Sequence, residues 1–228
     1  MKQQQDWWKS ATIYQIYPKS FCDSADKGTG DIRGIISKLD YLKALGIDAI
    51  WLTPVYQSPM VDNGYDISDY YAINPQFGDM ADFDLLLAEA HQLGIRIIMD
   101  IVVNHTSTAH HWFQSALGDK HSPYRDFYIW KDPVEVCVPN NWQSKFGGSA
   151  WALDEATNQY YLHLFATEQA DLNWENPAVR EEVKKVISFW AEKGVDGFRL
   201  DVINLISKQQ DFPSDDVGDG RRFYTDGP

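Results

Sequence analysis

The sequence predicts an α/β fold built around a parallel sheet. Three observations lead to it. Amphipathic helical stretches stop at a glycine three times, each stop is followed at once by an apolar run, and a long aromatic-rich segment interrupts the series only after residue 103. Helices alternating with continuously apolar strands indicate βαβ units, because a strand covered on both faces has no polar side to present.

The elements follow in chain order. Thr12-Ile13-Tyr14-Gln15-Ile16-Tyr17 reads as the first strand. Asp31 is placed to cap a helix whose Ile35, Leu39 and Leu42 keep a helical period, and Leu45-Gly46 stops it. Ile47-Asp48-Ala49-Ile50-Trp51-Leu52 is the second strand. Asp79 caps the next helix, with Phe83, Leu86, Leu87 and Ala90 on one face, and Leu93-Gly94 ends it ahead of a third strand at 95–103. Asn176-Pro177 opens a third helix with Val179, Val183, Val186, Ile187 and Trp190 on one stripe. Lys193-Gly194 closes that helix, and Val195-Asp196-Gly197-Phe198-Arg199-Leu200 is the fourth strand. Four strands and three crossover helices fit a doubly wound sheet or part of a (β/α)8 barrel equally well. The stretch from Asn104 to Glu175 far exceeds the ~2–6 residues of an ordinary βα loop. Its Trp112, Tyr124, Tyr128, Trp130, Trp142, Trp151, Tyr160 and Tyr161 mark it as a small folded insertion, with most of these rings in its core. The expected boundaries are 1–103, 104–175 and 176–228.

Composition narrows the function. The 228 residues carry 33 acidic against 20 basic side chains, a formal charge of −13, with 44% hydrophobic residues. That much apolar character builds a core and excludes disorder. The acidity opposes nucleic acid and anionic membranes as partners. No apolar run approaches the ~18 residues of a membrane span, and the opening residues hold no signal-peptide core. Cys22 and Cys137, far apart, suggest neither a disulfide framework nor a zinc site, which points to a reducing compartment.

Ligands of parallel α/β proteins sit at the carboxyl ends of the strands. There the chain offers Asp62-Asn63-Gly64-Tyr65-Asp66 after strand two, Asn104-His105 after strand three and Arg199-Leu200-Asp201 closing strand four. Arg199 and Asp201 share a strand face. A guanidinium beside a carboxylate favours its charged form, which suits a nucleophile. An acid closing a strand is otherwise a helix cap or a solvated loop residue, and His105 alone is as readily a satisfied loop histidine. His110 and His111 lack a glutamate at metalloprotease spacing, so zinc is not expected. The run 28–34 spaces its glycines GxGxxxG with Asp31 inside, which rejects a dinucleotide fingerprint. Carboxylates, aromatic platforms and net negative charge together fit a neutral polyol ligand.

These residues also carry a resemblance. Asp100-Ile101-Val102-Val103-Asn104-His105 looks like the first signature of the α-amylase family of glycoside hydrolases. Gly197-Phe198-Arg199-Leu200-Asp201 looks like its second, and Gln169-Ala170-Asp171-Leu172-Asn173-Trp174 like an auxiliary one, with Ala170 where proline is common. The likeness runs from Trp7 to the last residue. Within the family the chain is most similar to the oligo-1,6-glucosidase group, through Tyr14-Gln15-Ile16-Tyr17-Pro18 and Asp62-Asn63-Gly64-Tyr65-Asp66. Ser144-Lys145-Phe146-Gly147-Gly148-Ser149-Ala150-Trp151 and the closing stretch 219–228 look like members that split α,α-trehalose 6-phosphate into glucose and glucose 6-phosphate.

The resemblance implies the N-terminal half of a (β/α)8 TIM barrel, strands one to four, with a small domain inserted after strand three. It implies a cytoplasmic retaining glycosidase without cofactor, acting on a disaccharide or phosphorylated disaccharide. Asp201 would be the nucleophile, held ionised by Arg199. Asp62, Tyr65 and His105 would grip the non-reducing glucose, Phe165 would line the same pocket, Lys145 would meet the phosphate, and Asp100 and Asn104 would brace the strand-three end. The alternatives are an oligo-1,6-glucosidase or other α-glucosidase, and an inactive non-enzymatic relative. In the family's metal loop Asp23 and Asp31 stand, but Ala25 and Lys27 occupy two ligand positions, so no calcium is expected and Lys27 supplies the positive charge instead. The family's acid/base glutamate and third essential aspartate lie on later strands. The 228 residues alone are therefore expected to be inactive, and poorly stable or self-associating.

Overall fold

The structure, a computed structural model, describes residues 6–135 and 137–215. In chain order it contains β1 (Ile13–Ile16), α1 (Pro18–Phe21), α2 (Ile32–Ile36), α3 (Leu39–Ala44), β2 (Ala49–Leu52), β3 (Tyr56–Gln57), β4 (Asp69–Ile73), α4 (Met80–Gln92) and β5 (Arg96–Val102). Then follow β6 (His105–Ser107), α5 (His111–Ala116), β7 (Trp130–Lys131), β8 (Trp151–Asp154), β9 (Gln159–Leu162), β10 (Gln169–Asp171), α6 (Pro177–Glu192) and β11 (Gly197–Asp201). Two compact units form. The described part of one comprises 6–57, 71–101 and 187–199, and that of the other 58–70, 102–135, 137–186 and 200–215.

The principal sheet runs β1-β2-β5-β11. Ile13 to Ile16 pair in parallel with Ala49 to Leu52, and these with Arg96 to Met99. Strands appear in sequence order with no reversal. That is the order of a run of barrel strands, whereas a doubly wound sheet reverses direction at a switch point.

Local chemistry sets the punctuation. Asp79 accepts from Asp82 N–H at 2.9 Å while Asp82 accepts from Asp79 N–H at 3.2 Å, a reciprocal capping box that starts α4. The glycine stops share one geometry. At Gly94 (φ +68°) the backbone bends back so that Ile95 N–H reaches Ala90 O, and at Gly194 (φ +105°) Val195 N–H reaches Trp190 O. Only glycine takes this left-handed turn without a Cβ penalty. Asp31 caps its helix as expected, accepting from Gly34 N–H at 2.6 Å.

The single helix expected after Asp31 is instead two, α2 and α3. Ser37 turns its hydroxyl back onto the Gly34 carbonyl at 2.7 Å, competing with the helical backbone bond, and glycine is a weak helix former. Gly34 has a packing reason: a Cβ there would fall 1.8 Å from the Cys22 carbonyl oxygen. β1, β2 and β5 are shorter than the apolar runs that predicted them, and β11 starts later and extends one residue further, to Asp201.

In the first unit Trp190 is fully buried. It meets Tyr56, Phe83 and Phe189 edge to face at 5.5, 5.1 and 5.1 Å. In the same unit Ile32, Ile35, Leu42, Ile50, Leu52, Leu86 and Ile97 are sealed from solvent. In the second unit the aromatic insertion is folded. It holds an antiparallel sheet β7-β9-β8 and a pair β10-β6. Trp142, Ala150, Trp151, Leu162 and Leu164 form a cluster with Ile129 and Leu205. Most insertion aromatics are thus core.

Truncating Trp190 to Ala in the intact protein is expected to cost about 3–5 kcal/mol of unfolding free energy. Asp79→Ala is expected to cost about 1 kcal/mol through loss of the cap. Denaturant midpoints measure both, and equal losses would contradict this account of the first unit.

Candidate active site

The end of β5 leads through Val103 and Asn104 into β6, which pairs antiparallel with β10 so that Asp171 faces His105 and Gln169 faces Ser107. That pairing brings two distant segments of the second unit onto one histidine.

His105 is 1% exposed. Its Nδ1 lies 3.2 Å from Asn104 Nδ2, and its Nε2 lies 3.2 Å from the Tyr65 carbonyl oxygen and 3.1 Å from Gln169 Nε2. Phe165 packs against the ring at 5.1 Å. Burial holds the imidazole below its usual pKa, opposed by Asp171, Asp201 and the Tyr65 carbonyl and reinforced by Lys208. It is therefore neutral near pH 7.

Asp62 comes from a turn that Asp66 organises. The fully buried Asp66 carboxylate accepts from Ser58 Oγ, Val61 N–H and Asp62 N–H at 2.9, 3.0 and 3.0 Å. Asn63 (φ +53°) and Gly64 (φ +100°) turn the chain left-handed, and Tyr65 N–H closes onto the Asp62 carbonyl at 3.0 Å. The Asp62 carboxylate accepts from Gln169 Nε2 at 3.0 Å. Burial is the largest influence on it and raises its pKa. Gln169 and His105 oppose that rise, while Asp66 and Asp201 add to it.

Asp201 closes β11 and is 8% exposed. Its charge acts on both Asp62 and His105. Val202 follows with φ +37° and ψ +36°, a left-handed conformation costly for a β-branched residue, before a short 3-10 turn over Ile203–Leu205. Strain of this kind persists where the surroundings fix it, here directly after the sharpest candidate.

In the first unit Asp100 is a hub. Its Oδ1 accepts from Arg199 Nη1 at 2.9 Å and its Oδ2 from Trp51 Nε1 at 3.0 Å. Tyr56 OH donates to its carbonyl at 2.8 Å, and the Arg199 guanidinium lies 4.9 Å over the Trp51 ring. Arg199 is thus anchored to the third strand as well as carried by the fourth.

The second unit therefore gathers Asp62, Tyr65, Asn104, His105, Phe165 and Asp201. Lys145 joins by its backbone, donating to the Leu164 carbonyl at 2.8 Å beside Phe165, and Phe146 meets Phe165 edge to face at 5.7 Å. Sequence reasoning missed four participants. Asp66, Gln169 and Asp171 stand inside motifs already quoted but with no role assigned. Lys208 had no signal: it is a lone lysine in an irregular stretch, yet it is buried, with Nζ 2.8 Å from Asp171 Oδ2 and 2.8 Å from Asn104 Oδ1. The stretch 219–228 lies outside the described residues.

His110 caps α5, accepting from Trp112 N–H at 3.2 Å. Burial, then the neighbouring His111, pushes its pKa down to about 3, so it is a neutral cap. Among the described residues no group of three or more His, Cys, Asp or Glu side chains could hold a metal ion. Asp23 accepts from Ala25 and Gly28 N–H at 2.9 and 2.6 Å, and Asp31 from Ser24 Oγ at 2.8 Å. No helix of the described residues is long and apolar enough to cross a membrane.

Comparison with known proteins shows what the chain is similar to. The chain is 63% identical over 227 residues to the trehalose-6-phosphate hydrolase of Bacillus subtilis, covering 99% of this chain and 40% of that protein. It is 57% identical over 228 residues to the oligo-1,6-glucosidase of Parageobacillus thermoglucosidasius, covering 97% of this chain and 41% of that protein. The crystal structure of trehalose-6-phosphate hydrolase from Bacillus licheniformis superposes with a TM-score of 0.93 at 65% identity, over 97% of this chain and 40% of that one. The chain spans about two fifths of the length of these relatives. Residues 15–228 match the alpha amylase catalytic domain, and the chain belongs to that family.

Proposed function

We propose that the chain is the first half of a (β/α)8 barrel, with 104–175 inserted between 1–103 and 176–228, in a retaining glycosidase that splits α,α-trehalose 6-phosphate into glucose and glucose 6-phosphate. The observation that carries the reading is the position of Asp201: it closes β11 and shares one electrostatic neighbourhood with Asp62 and the neutral His105. Two similar proteins named trehalose-6-phosphate hydrolase support the substrate. The oligo-1,6-glucosidase named above keeps a second reading alive, with the same chemistry and a different leaving group.

The chemistry follows from the residues. A carboxylate oxygen of Asp201 attacks the anomeric carbon. The glycosidic C–O bond breaks, the leaving oxygen takes a proton, and a glucosyl ester forms; water then cleaves the ester with net retention. Retention needs a second carboxyl group about 5–5.5 Å from the nucleophile as acid and then base. The family resemblance places that glutamate on later strands. His105 and Asp62 hydrogen-bond the non-reducing glucose, Tyr65 stacks on it and Phe165 lines the pocket. Arg199, anchored to Asp100, orients the end of β11. Lys145 offers the phosphate its cation. Cys22 and Cys137 are both free thiols, in keeping with a cytoplasmic enzyme.

In the intact protein Asp201→Asn is expected to lower kcat on the order of 10⁴-fold. A slow-turnover 5-fluoroglucosyl fluoride should label Asp201, and a label mapped to another carboxylate would refute its role. Lys145→Ala should raise KM for the phosphorylated disaccharide more than for plain trehalose; equal effects remove Lys145 from phosphate recognition. Release assays on trehalose 6-phosphate, isomaltose and sucrose decide between the two substrate readings. Residues 1–228 purified alone should release no glucose from any of them.

A further inference from the structure

Lys208 stands seven residues beyond Asp201, and its side chain is 1% exposed. Its ammonium donates to Asn104 Oδ1 at 2.8 Å and pairs with Asp171 Oδ2 at 2.8 Å. Two facts of donor chemistry then orient Asn104. An ammonium can only donate, so the Asn104 atom facing it is the carbonyl oxygen. A carboxylate can only accept, so the atom 3.0 Å from Asp171 Oδ2 is the amide nitrogen.

That amide nitrogen lies 3.2 Å from His105 Nδ1 and has a second hydrogen to give. Nδ1 is therefore the acceptor of the neutral ring, and the ring proton sits on Nε2. Nε2 faces two groups: the Tyr65 carbonyl oxygen at 3.2 Å, which can only accept and so takes the ring proton, and the Gln169 amide nitrogen at 3.1 Å, which donates to Asp62 at 3.0 Å; Nδ1 faces a donor alone, so the proton belongs on Nε2. The charged groups acting on His105 are Asp171, Asp201, Lys208 and Asp62, and burial outweighs the three carboxylates to keep the ring neutral.

We infer that Lys208 is a positioning residue: with Asp171 it locks the Asn104 amide, and through Asn104 it sets the tautomer of His105, with the ring proton on the Nε2 that faces Tyr65 and Gln169. The kinetic part of this inference rests on the glycosidase reading; the tautomer itself does not. No substrate contact is needed from Lys208, and none is assigned to it.

The test uses the intact protein with ¹⁵N-labelled histidine, the His105 signals being assigned by their loss in His105→Gln. Long-range ¹H–¹⁵N correlations should show Nδ1 as the unprotonated nitrogen and Nε2 as the protonated one. Lys208→Met should shift His105 toward a tautomer mixture and lower kcat/KM by about 100-fold, as small misplacements near reacting groups do. That variant leaves a buried carboxylate without its ammonium, so Asn104→Leu is the second arm. It keeps the Lys208–Asp171 ion pair, removes only the donor at Nδ1, and should shift His105 toward a tautomer mixture with the fold retained by circular dichroism. A proton on Nδ1 in the unmodified protein overturns the inference, as does an unchanged tautomer in Asn104→Leu or in a folded Lys208→Met. Absence of glycosidase activity alongside the Nε2–H tautomer defeats the functional reading and leaves the tautomer assignment standing.

Discussion

A carboxylate sealed from water must be paired, and in the second unit Asp171 is that carboxylate. Desolvating an ion costs several kcal/mol, which only good geometry offsets. Asp171 is fully buried and satisfied on both oxygens: Oδ1 accepts from Leu164 N–H at 2.9 Å, and Oδ2 from Asn104 Nδ2 and Lys208 Nζ at 3.0 and 2.8 Å. Each partner belongs to a different stretch of chain. Leu164 lies beside Phe165, Asn104 follows β5, and Lys208 follows β11. Meeting one electrostatic requirement therefore brings together the insertion, the third strand's end and the segment after the fourth. Removing any partner would leave a buried polar group unmet, which costs more than the bond contributed.

The parts of this protein legible in its sequence are those settled over a few residues. Asp79 and Gly94 announce the ends of α4 because a cap and a left-handed turn are decided within one helical turn. Ser37 broke the helix after Asp31 for an equally local reason, but serine mid-helix has several outcomes and the apolar period concealed the break. The insertion read correctly as folded, since aromatics at that density need a core. Motif and strand-end position singled out His105 and Asp201, which the structure places in one unit. Lys208 and Gln169 were not. Their pairings to Asn104 and Asp62 span 104 and 107 residues, and no local pattern encodes a contact of that range. Asp66 was hidden differently: it sat in a motif whose chemistry pointed at Asp62, while its own work is to hold the turn.

The backbone after Asp201 shows how position and strain combine. Val202 in a left-handed conformation carries a cost of about 1–3 kcal/mol. In return the chain leaves β11 abruptly, and Leu205 reaches the cluster of Trp142 and Trp151. Lys208 is then delivered to Asp171. The burial of Leu205 and the ion pair of Lys208 hold the turn that follows Asp201 from its far side.

The acidic side chains of the second unit are not equivalent, and the difference bears on ligand chemistry. Asp66 is consumed by two backbone N–H groups and a serine hydroxyl. Asp171 is consumed by a backbone N–H, an amide and an ammonium. Asp62 is half-buried and takes the Gln169 amide, and burial wins over that bond to raise its pKa. A carboxylate in this condition gains from any further donor that replaces lost water, and a sugar hydroxyl is such a donor without bringing a charge of its own. Asp66 and Asp171 therefore hold the fold together, while the half-buried Asp62 is the carboxylate that a neutral hydroxyl donor would favour.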